Sequence, residues 1–311
     1  MTQVQKQNKV RIILALLAVY VFWGGTYLGI KIAIETMPPF LMAGVRFLVS
    51  GVMLYTWARL RGAEKPQAVH WKNAAVVGFL LLIIGNGGVV WAEQTVDSGI
   101  AALLVATEPI WIVMLAWLLF RDKRPTRGVF IGIIIGFAGM MILVWDTIGF
   151  AADGLSSLPG VIVLSLAAIA WAVGSLFSRD AKLPASPVLS TGMEMLWGGA
   201  MFLVLSTVLG EYQGFSVADV SLRSFIAFLY LIFCGSLIAF TAYIWLLRNA
   251  TPAVACTYAY VNPIVAVFVG WAFGGEVFGL GTFFAGGIII VAIILITGMF
   301  NKNAEAIGLE P

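Results

Sequence analysis

A carboxylate, two asparagines and a set of indole and phenol rings lie inside stretches otherwise too apolar for water. Glu108 stands directly before Pro109, and 154 positions later Asn262 stands directly before Pro263. An intramembrane acid can pair with a substrate amine, act as a proton-linked switch, or stay protonated and hydrogen-bonded as a structural group. Ionised and unpaired it would cost about 3 kcal/mol, so it must face protein or water rather than lipid. Each proline removes a backbone hydrogen bond and frees a carbonyl one turn earlier, which predicts a mid-depth kink at Pro109 and at Pro263, suited to a hinge, a binding site or a packed bend.

The aromatic residues form a second group. Trp23 and Tyr27 are four apart on one helical face beside Gly24 and Gly25, and Trp171 with Gly174 and Ser175 repeats the arrangement. Both Trp residues are at mid-depth, away from the interfacial aromatic belt. They can form two walls around an apolar or aromatic ligand; aromatic core packing is the competing reading. Asn86 lies in Gly85-Asn86-Gly87-Gly88 ahead of Trp91, where glycines allow close backbone approach. Tyr258 and Asn262 share a face at i, i+4, and Glu108 and Trp111 at i, i+3; Tyr243 repeats the position of Val89. These residues are the expected substrate-binding set.

Four residues are expected to work as hinges or gates: Pro109, Pro263, Arg46 and Glu194. Arg46 and Glu194 hold equivalent positions with opposite charge, toward opposite faces, so each is expected to find a local partner. Arg46 could also meet a substrate carboxylate. Lys31 can snorkel to the surface. Glu276 and Asp122 sit at hairpin bends, where capping the following helix is the simplest role.

The chemistry that is missing narrows the class. The single histidine, His70, falls in a link, and Cys234 and Cys256 lie in apolar runs with no metal or disulfide spacing. No phosphate loop and no nucleophile–base set is present. We therefore expect no catalytic residue, no metal, no cofactor, no nucleic-acid partner and no ATP coupling by this chain. The partners expected are a small-molecule substrate and the lipid bilayer.

The elements that must position these groups are helices. Of the 311 residues, 61% are hydrophobic and 11% charged, against about 25% charged in a soluble domain; the mean hydropathy is +1.00. The apolar residues fall into continuous runs of bilayer-spanning length, without the period of two of a barrel strand. Ten spans can be drawn, at about 12–34, 40–60, 73–94, 98–120, 126–146, 159–179, 187–209, 222–247, 251–273 and 279–300. The chain reads as an all-α polytopic membrane protein with polar tails at 1–11 and 301–311. Of its 18 Lys and Arg, 15 fall in the tails and in alternate links, which predicts cytoplasmic termini.

The halves match each other. At an offset of 148, Trp23 meets Trp171, Lys31 meets Arg179, Pro39 meets Pro187, Gly44 meets Gly192, Leu48 meets Leu196 and Gly51 meets Gly199. At 154, Trp91 meets Trp245, Pro109 meets Pro263, Trp117 meets Trp271 and Gly132 meets Gly286. Five spans per half is odd, so the second half crosses in the opposite sense: two five-helix inverted-topology repeats, at 12–146 and 159–300.

With these residues in view, Phe22-Trp-Gly-Gly-Thr-Tyr-Leu-Gly-Ile-Lys31 resembles the opening motif of the EamA domains of the drug/metabolite transporter superfamily. So does the pattern Pro263, Gly275-Glu276, Gly286, matched by Pro109, Arg121-Asp122, Gly132. The resemblance spans about 12–300. It implies a ten-helix inner-membrane carrier, commonly an exporter of amino acids or other small metabolites, with a central cavity lined mainly by the first, third, fourth, sixth, eighth and ninth helices. Its aromatic character looks most like the YddG-type exporters of aromatic amino acids. A multidrug or other-metabolite exporter of the same fold, or a channel-like solute facilitator, is the alternative. Glu108 departs from the small or apolar residue of many relatives.

Overall fold

Apolar runs of this length offer their backbone no water, so each must close its hydrogen bonds internally as helix. The computed structural model describes residues 3–119, 127–150, 158–250 and 258–297. Asp122, Cys256 and the carboxyl-terminal tail lie outside the described residues. The helices are α1 (Val10–Ala33), α2 (Pro39–Leu60), α3 (Ala68–Ala92), α4 (Ser98–Leu118), α5 (Arg127–Phe150), α6 (Leu158–Asp180), α7 (Pro187–Val208), α8 (Leu222–Asn249), α9 (Tyr258–Gly274) and α10 (Leu280–Thr297). Seven of them, α1–α4 and α6–α8, are long and apolar enough to cross a bilayer. The stretches Arg127–Gly139, Val261–Gly274 and Leu280–Ala292 are shorter apolar helices. No strand occurs among the described residues. The helix entering α1 already begins at Gln3, within the expected tail.

The packing repeats as the sequence does. Exchanging each helix for its counterpart in the other half turns the α3–α6 contact into α8–α1, α4–α6 into α9–α1, and α3–α7 into α8–α2. The α2–α7, α5–α10 and α4–α9 contacts map onto themselves. That is the pattern of a pseudo-two-fold axis, and an odd helix number per half makes the symmetry inverted.

At that axis α2 and α7 cross backbone on backbone. A Cβ on Gly51 would fall 2.7 Å from the Leu196 amide nitrogen and 3.0 Å from the Gly192 carbonyl oxygen. One on Gly192 would fall 2.7 Å from the Tyr55 nitrogen, and one on Gly199 would fall 2.5 Å from that of Leu48 and 3.0 Å from the Gly44 oxygen. Gly51 thus faces Gly192, and Gly44 faces Gly199. Small residues let membrane helices gain dispersion contacts where no hydrophobic drive exists. The outward faces are apolar instead: Trp271 is 65% and Phe284 70% exposed, a surface suited to lipid.

Not every helix runs evenly. Val19–Trp23 of α1, Phe79–Asn86 of α3 and Leu231–Phe240 of α8 are wound with the wider π spacing, a distortion frequent at functional sites. Helix α4 breaks at Ala106–Thr107 and restarts at Glu108, with Pro109 in its first turn. A proline there loses nothing, since first-turn amides have no helical partner. In α9, by contrast, the helix continues through Pro263. At the two equivalent prolines the helix is thus interrupted in one half and runs on in the other.

Links cap helices at a distance. Both Glu211 carboxylate oxygens, from the α7–α8 link, accept from the first amides of α2, Phe40 N at 3.1 Å and Leu41 N at 2.8 Å. Glu276, from the α9–α10 link, caps α4 rather than the following helix: it accepts from Ser98 N at 3.0 Å, Ser98 Oγ at 2.9 Å and Gly99 N at 3.3 Å.

Replacing Gly51 or Gly192 by Leu is expected to prevent closure of the α2–α7 crossing. The yield of monodisperse protein on size-exclusion chromatography in detergent should fall severalfold; a wild-type profile for both variants would remove the crossing from its central place.

Candidate functional site

The largest group of sequence-selected residues meets around one internal cavity. It is lined from α1 by Trp23, Thr26, Tyr27 and Ile30, from α2 by Arg46 and Phe47, and from α3 by Gly85, Asn86 and Val89. Val105 and Glu108 come from α4, Ala167 and Trp171 from α6, Phe240 from α8, and Tyr258 and Asn262 from α9. The volume it encloses is about 60 Å³, so the lining side chains nearly fill it in this arrangement.

One pole is aromatic. The Trp23 ring centre lies 5.7 Å from that of Trp171, 5.0 Å from Tyr243, 5.4 Å from Tyr258 and 6.0 Å from Phe240. Most of these pairs are edge-to-face, the arrangement favoured by ring quadrupoles and worth about 1 kcal/mol per pair beyond area burial. Hydrogen bonds fix the rings. Trp23 Nε1 donates to the Gly235 carbonyl at 3.1 Å, Trp171 Nε1 to Tyr243 Oη at 3.4 Å, and Ser175 Oγ meets Tyr243 Oη at 2.9 Å. The α3 glycines seat the Trp171 ring, since a Cβ on Gly85 would fall 2.8 Å from Trp171 Cε3. The two tryptophans expected as separate walls are thus in contact and form one wall.

The other pole is polar. Tyr258 Oη donates to Glu108 Oε2, while Glu108 Oε1, Asn86 Oδ1 and Asn262 Oδ1 are buried without a hydrogen-bond partner among the described residues. Arg46 is 3% exposed; its Nε donates to Ser236 Oγ at 2.8 Å, its Cζ lies 4.7 Å over the Phe47 ring, and its Nη1 has no hydrogen-bond partner among the described residues. The rings gather toward the end of the bundle where α8 finishes and α9 begins. Phe47, Ile30 and Val89 lie toward the opposite end, and Arg46 lies across Gly235 from Trp23.

Some expected residues fall elsewhere. Trp91, five positions from Asn86, turns to the surface and is 38% exposed. Trp111 packs on Phe137 of α5 at 5.3 Å and donates to Thr107 Oγ1. Ser175 and Tyr243 stand behind the rings as supports. Pro109 is buried beneath Glu108, whereas Pro263 borders an apolar groove between α9 and α10. Glu194, fully buried, accepts from Ser190 Oγ at 2.9 Å and its backbone abuts Gly78, remote from Arg46.

Two features escaped the sequence reading. Glu93 is 2% exposed, and neither carboxylate oxygen has a hydrogen-bond partner among the described residues; it follows Asn86 by seven positions, a spacing that shares a helical face. Lys31, expected to snorkel, pairs with Asp97 at 2.5 Å and with Glu276 at 2.9 Å. This cluster ties α1 to the α3–α4 and α9–α10 links. Burial raises the Glu276 carboxyl, but hydrogen bonds from Lys31 and Ser98 outweigh it and hold the group below the ordinary carboxylate value.

The EamA-like transporter family is matched twice, over residues 10–145 and 158–298. The uncharacterized inner membrane transporter YedA of Escherichia coli (strain K12) is 41% identical over 285 residues, covering 91% of this chain and 89% of that protein. The uncharacterized transporter YoaV of Bacillus subtilis (strain 168) is 22% identical over 299 residues, 94% of this chain and 97% of its own. A crystal structure of a protein 17% identical in sequence superposes with a TM-score of 0.66 over 96% of this chain and 99% of that one, a likeness of fold alone.

Because the Glu276 carboxyl is lowered in the folded protein, its stabilisation is complete above its ordinary value of 4.5 and is lost as pH falls through the lowered one. Thermal melts in detergent should show Glu276→Gln several degrees below wild type at pH 7, with the gap closing under acid. An equal gap at every pH would contradict the Lys31–Glu276 pairing.

Proposed function

The chain belongs to the EamA-like transporter family, and from that premise we propose that it is a secondary transporter of the inner membrane. It exports or exchanges small amphipathic metabolites, aromatic or hydrophobic amino acids first among them, by alternating access. Its working units are the two five-helix repeats at 12–146 and 159–300, with both termini in the cytoplasm. The observation that carries the substrate reading is the aromatic pole: Trp23, Trp171, Tyr258 and Phe240, drawn from both halves, border a cavity whose far side is polar. A flat ring stacks on such a surface, and a short polar head reaches the other pole.

The mechanism follows from how the cavity is closed. On the cytoplasmic side the rings touch one another, so substrate can enter from there only when the α8–α9 hairpin moves away from α1 and α6. At the outer end the Lys31–Asp97–Glu276 cluster ties the α3–α4 link to α1. Inverted repeats provide two related arrangements, one opening each end around a fixed midplane site. Tight packing makes such elements bistable rather than continuously deformable. Glu108, hydrogen-bonded to Tyr258 across the α4–α9 contact, joins the two halves at the site itself.

Proteoliposomes holding the purified protein should exchange labelled aromatic amino acid with saturable kinetics, and Trp171→Ala and Glu108→Ala should each lower the rate about tenfold or more. Wild-type flux in both folded variants would sink the site assignment, and flux that does not saturate would favour a channel-like facilitator. For orientation, single cysteines at Gln213 and Glu64 in a cysteine-free background are decisive. An impermeant thiol reagent applied to intact cells should label the first and spare the second; the reverse result would invert the topology.

A further inference from the structure

Four polar atoms of the cavity lining are buried without a partner among the described residues, and their chemistry is complementary to one kind of head group. Arg46 Nη1 is a charged donor; Asn86 Oδ1, Glu108 Oε1 and Asn262 Oδ1 are acceptors. A guanidinium held in a low-dielectric interior is costly unless an anion and hydrogen-bond acceptors meet it. Ser236 accepts from Nε and the Phe47 ring gives cation–π contact; the buried Glu93 carboxyl is near enough to act on the guanidinium electrostatically but makes no hydrogen bond to it among the described residues. Nη1 therefore keeps an unused charged donor among the described residues, and guanidinium is the side chain best matched to a carboxylate.

Arg46 is also close to the aromatic pole. A Cβ on Gly235 would fall 3.0 Å from Arg46 Nη2 and 2.8 Å from Thr26 Cγ2, and the carbonyl of the same glycine receives Trp23 Nε1 at 3.1 Å. A single glycine of α8 therefore separates the guanidinium from the first ring of the wall. The missing side chain at Gly235 leaves room for both.

We propose that Arg46 is the carboxylate-binding residue of the substrate site and that Asn86, Glu108 and Asn262 form its ammonium-binding pole. The site is then specific for the zwitterion of an α-amino acid with an apolar side chain, the three acceptors answering the three N–H donors of the ammonium. This rests on the amino-acid reading given above and goes beyond it in assigning the head-group subsites. It also changes the role of Arg46 from a gate to a substrate contact. The carboxylate and ammonium must both be present: an amine lacking the acid leaves Arg46 unmet, and an acid lacking the amine leaves three acceptors unmet.

The test uses wild-type protein in proteoliposomes loaded with L-tryptophan, measuring counterflow of labelled L-tryptophan against L-tryptophanamide, tryptamine and indole-3-propionate as competitors. We expect unlabelled L-tryptophan to compete at least tenfold better than each of the three. Arg46→Gln should raise the KM for tryptophan tenfold or more and erase its advantage over the amide, and Arg46→Lys should recover part of it. Wild type that treats tryptophan and its amide alike, or a folded Arg46→Gln protein that still separates them, overturns the assignment while leaving the amino-acid reading standing. Wild type that moves no amino acid overturns that reading and the assignment together. Should Arg46→Gln fail to fold, Arg46→Lys decides: an unchanged KM and an unchanged preference for tryptophan over its amide overturn the assignment.

Discussion

The crossing of α2 and α7 is the contact on which the rest of the molecule depends. In lipid, two helices gain little from hiding apolar surface, so they must be joined by close contact. Here the contact is made by Gly44 and Gly51 against Gly199 and Gly192, with backbone atoms where side chains would otherwise stand. Because the crossing lies on the pseudo-two-fold axis, it fixes both halves at once. Arg46 sits two positions from Gly44 on α2, so the same crossing holds the guanidinium against α8. Remove the crossing and neither the axis nor the cavity on it is defined.

The aromatic pole depends on a second use of absent side chains. Gly85 lets the Trp171 ring lie against α3, and Gly235 lets Trp23 bond to an α8 carbonyl while Arg46 passes on the other side. Both glycines fall in π-wound stretches. Large rings and small gaps are therefore paired across helices, as in any close-packed interior. The rings are held by the helices around them rather than by their own spans.

Much of this was legible from the chain alone, because it follows from periodicity and repetition. Trp23 and Trp171 were visible as a matched pair, as were the glycines of the crossing, whose offset of 148 reflects the axis that brings them together. What stayed hidden was which neighbour a given helical face meets. Glu108 and Trp111 are three apart, yet one reaches the cavity and the other packs on Phe137. Glu276 could be placed at a bend, but spacing does not reveal that the nearest uncapped amides belong to α4. Glu93 shares the face of Asn86, a signal present in the spacing but masked by the nearby Trp91. Capping and pairing across links are long-range events, and a local pattern carries no information about them.

The two halves are not equal in one respect. Helix α4 breaks before Pro109, whereas α9 runs unbroken through Pro263. A carrier assembled from interchangeable halves would spend equal time facing either compartment when empty. Unequal halves give the empty carrier a resting side, because the two orientations then differ in free energy. That difference cannot drive net movement, since with equal concentrations on both sides the inward and outward fluxes must balance whatever the protein's shape. It can only set how apparent affinity differs between the two faces. The break in α4 is thus a place where such a carrier can be tuned to a dilute pool on one side and a concentrated one on the other.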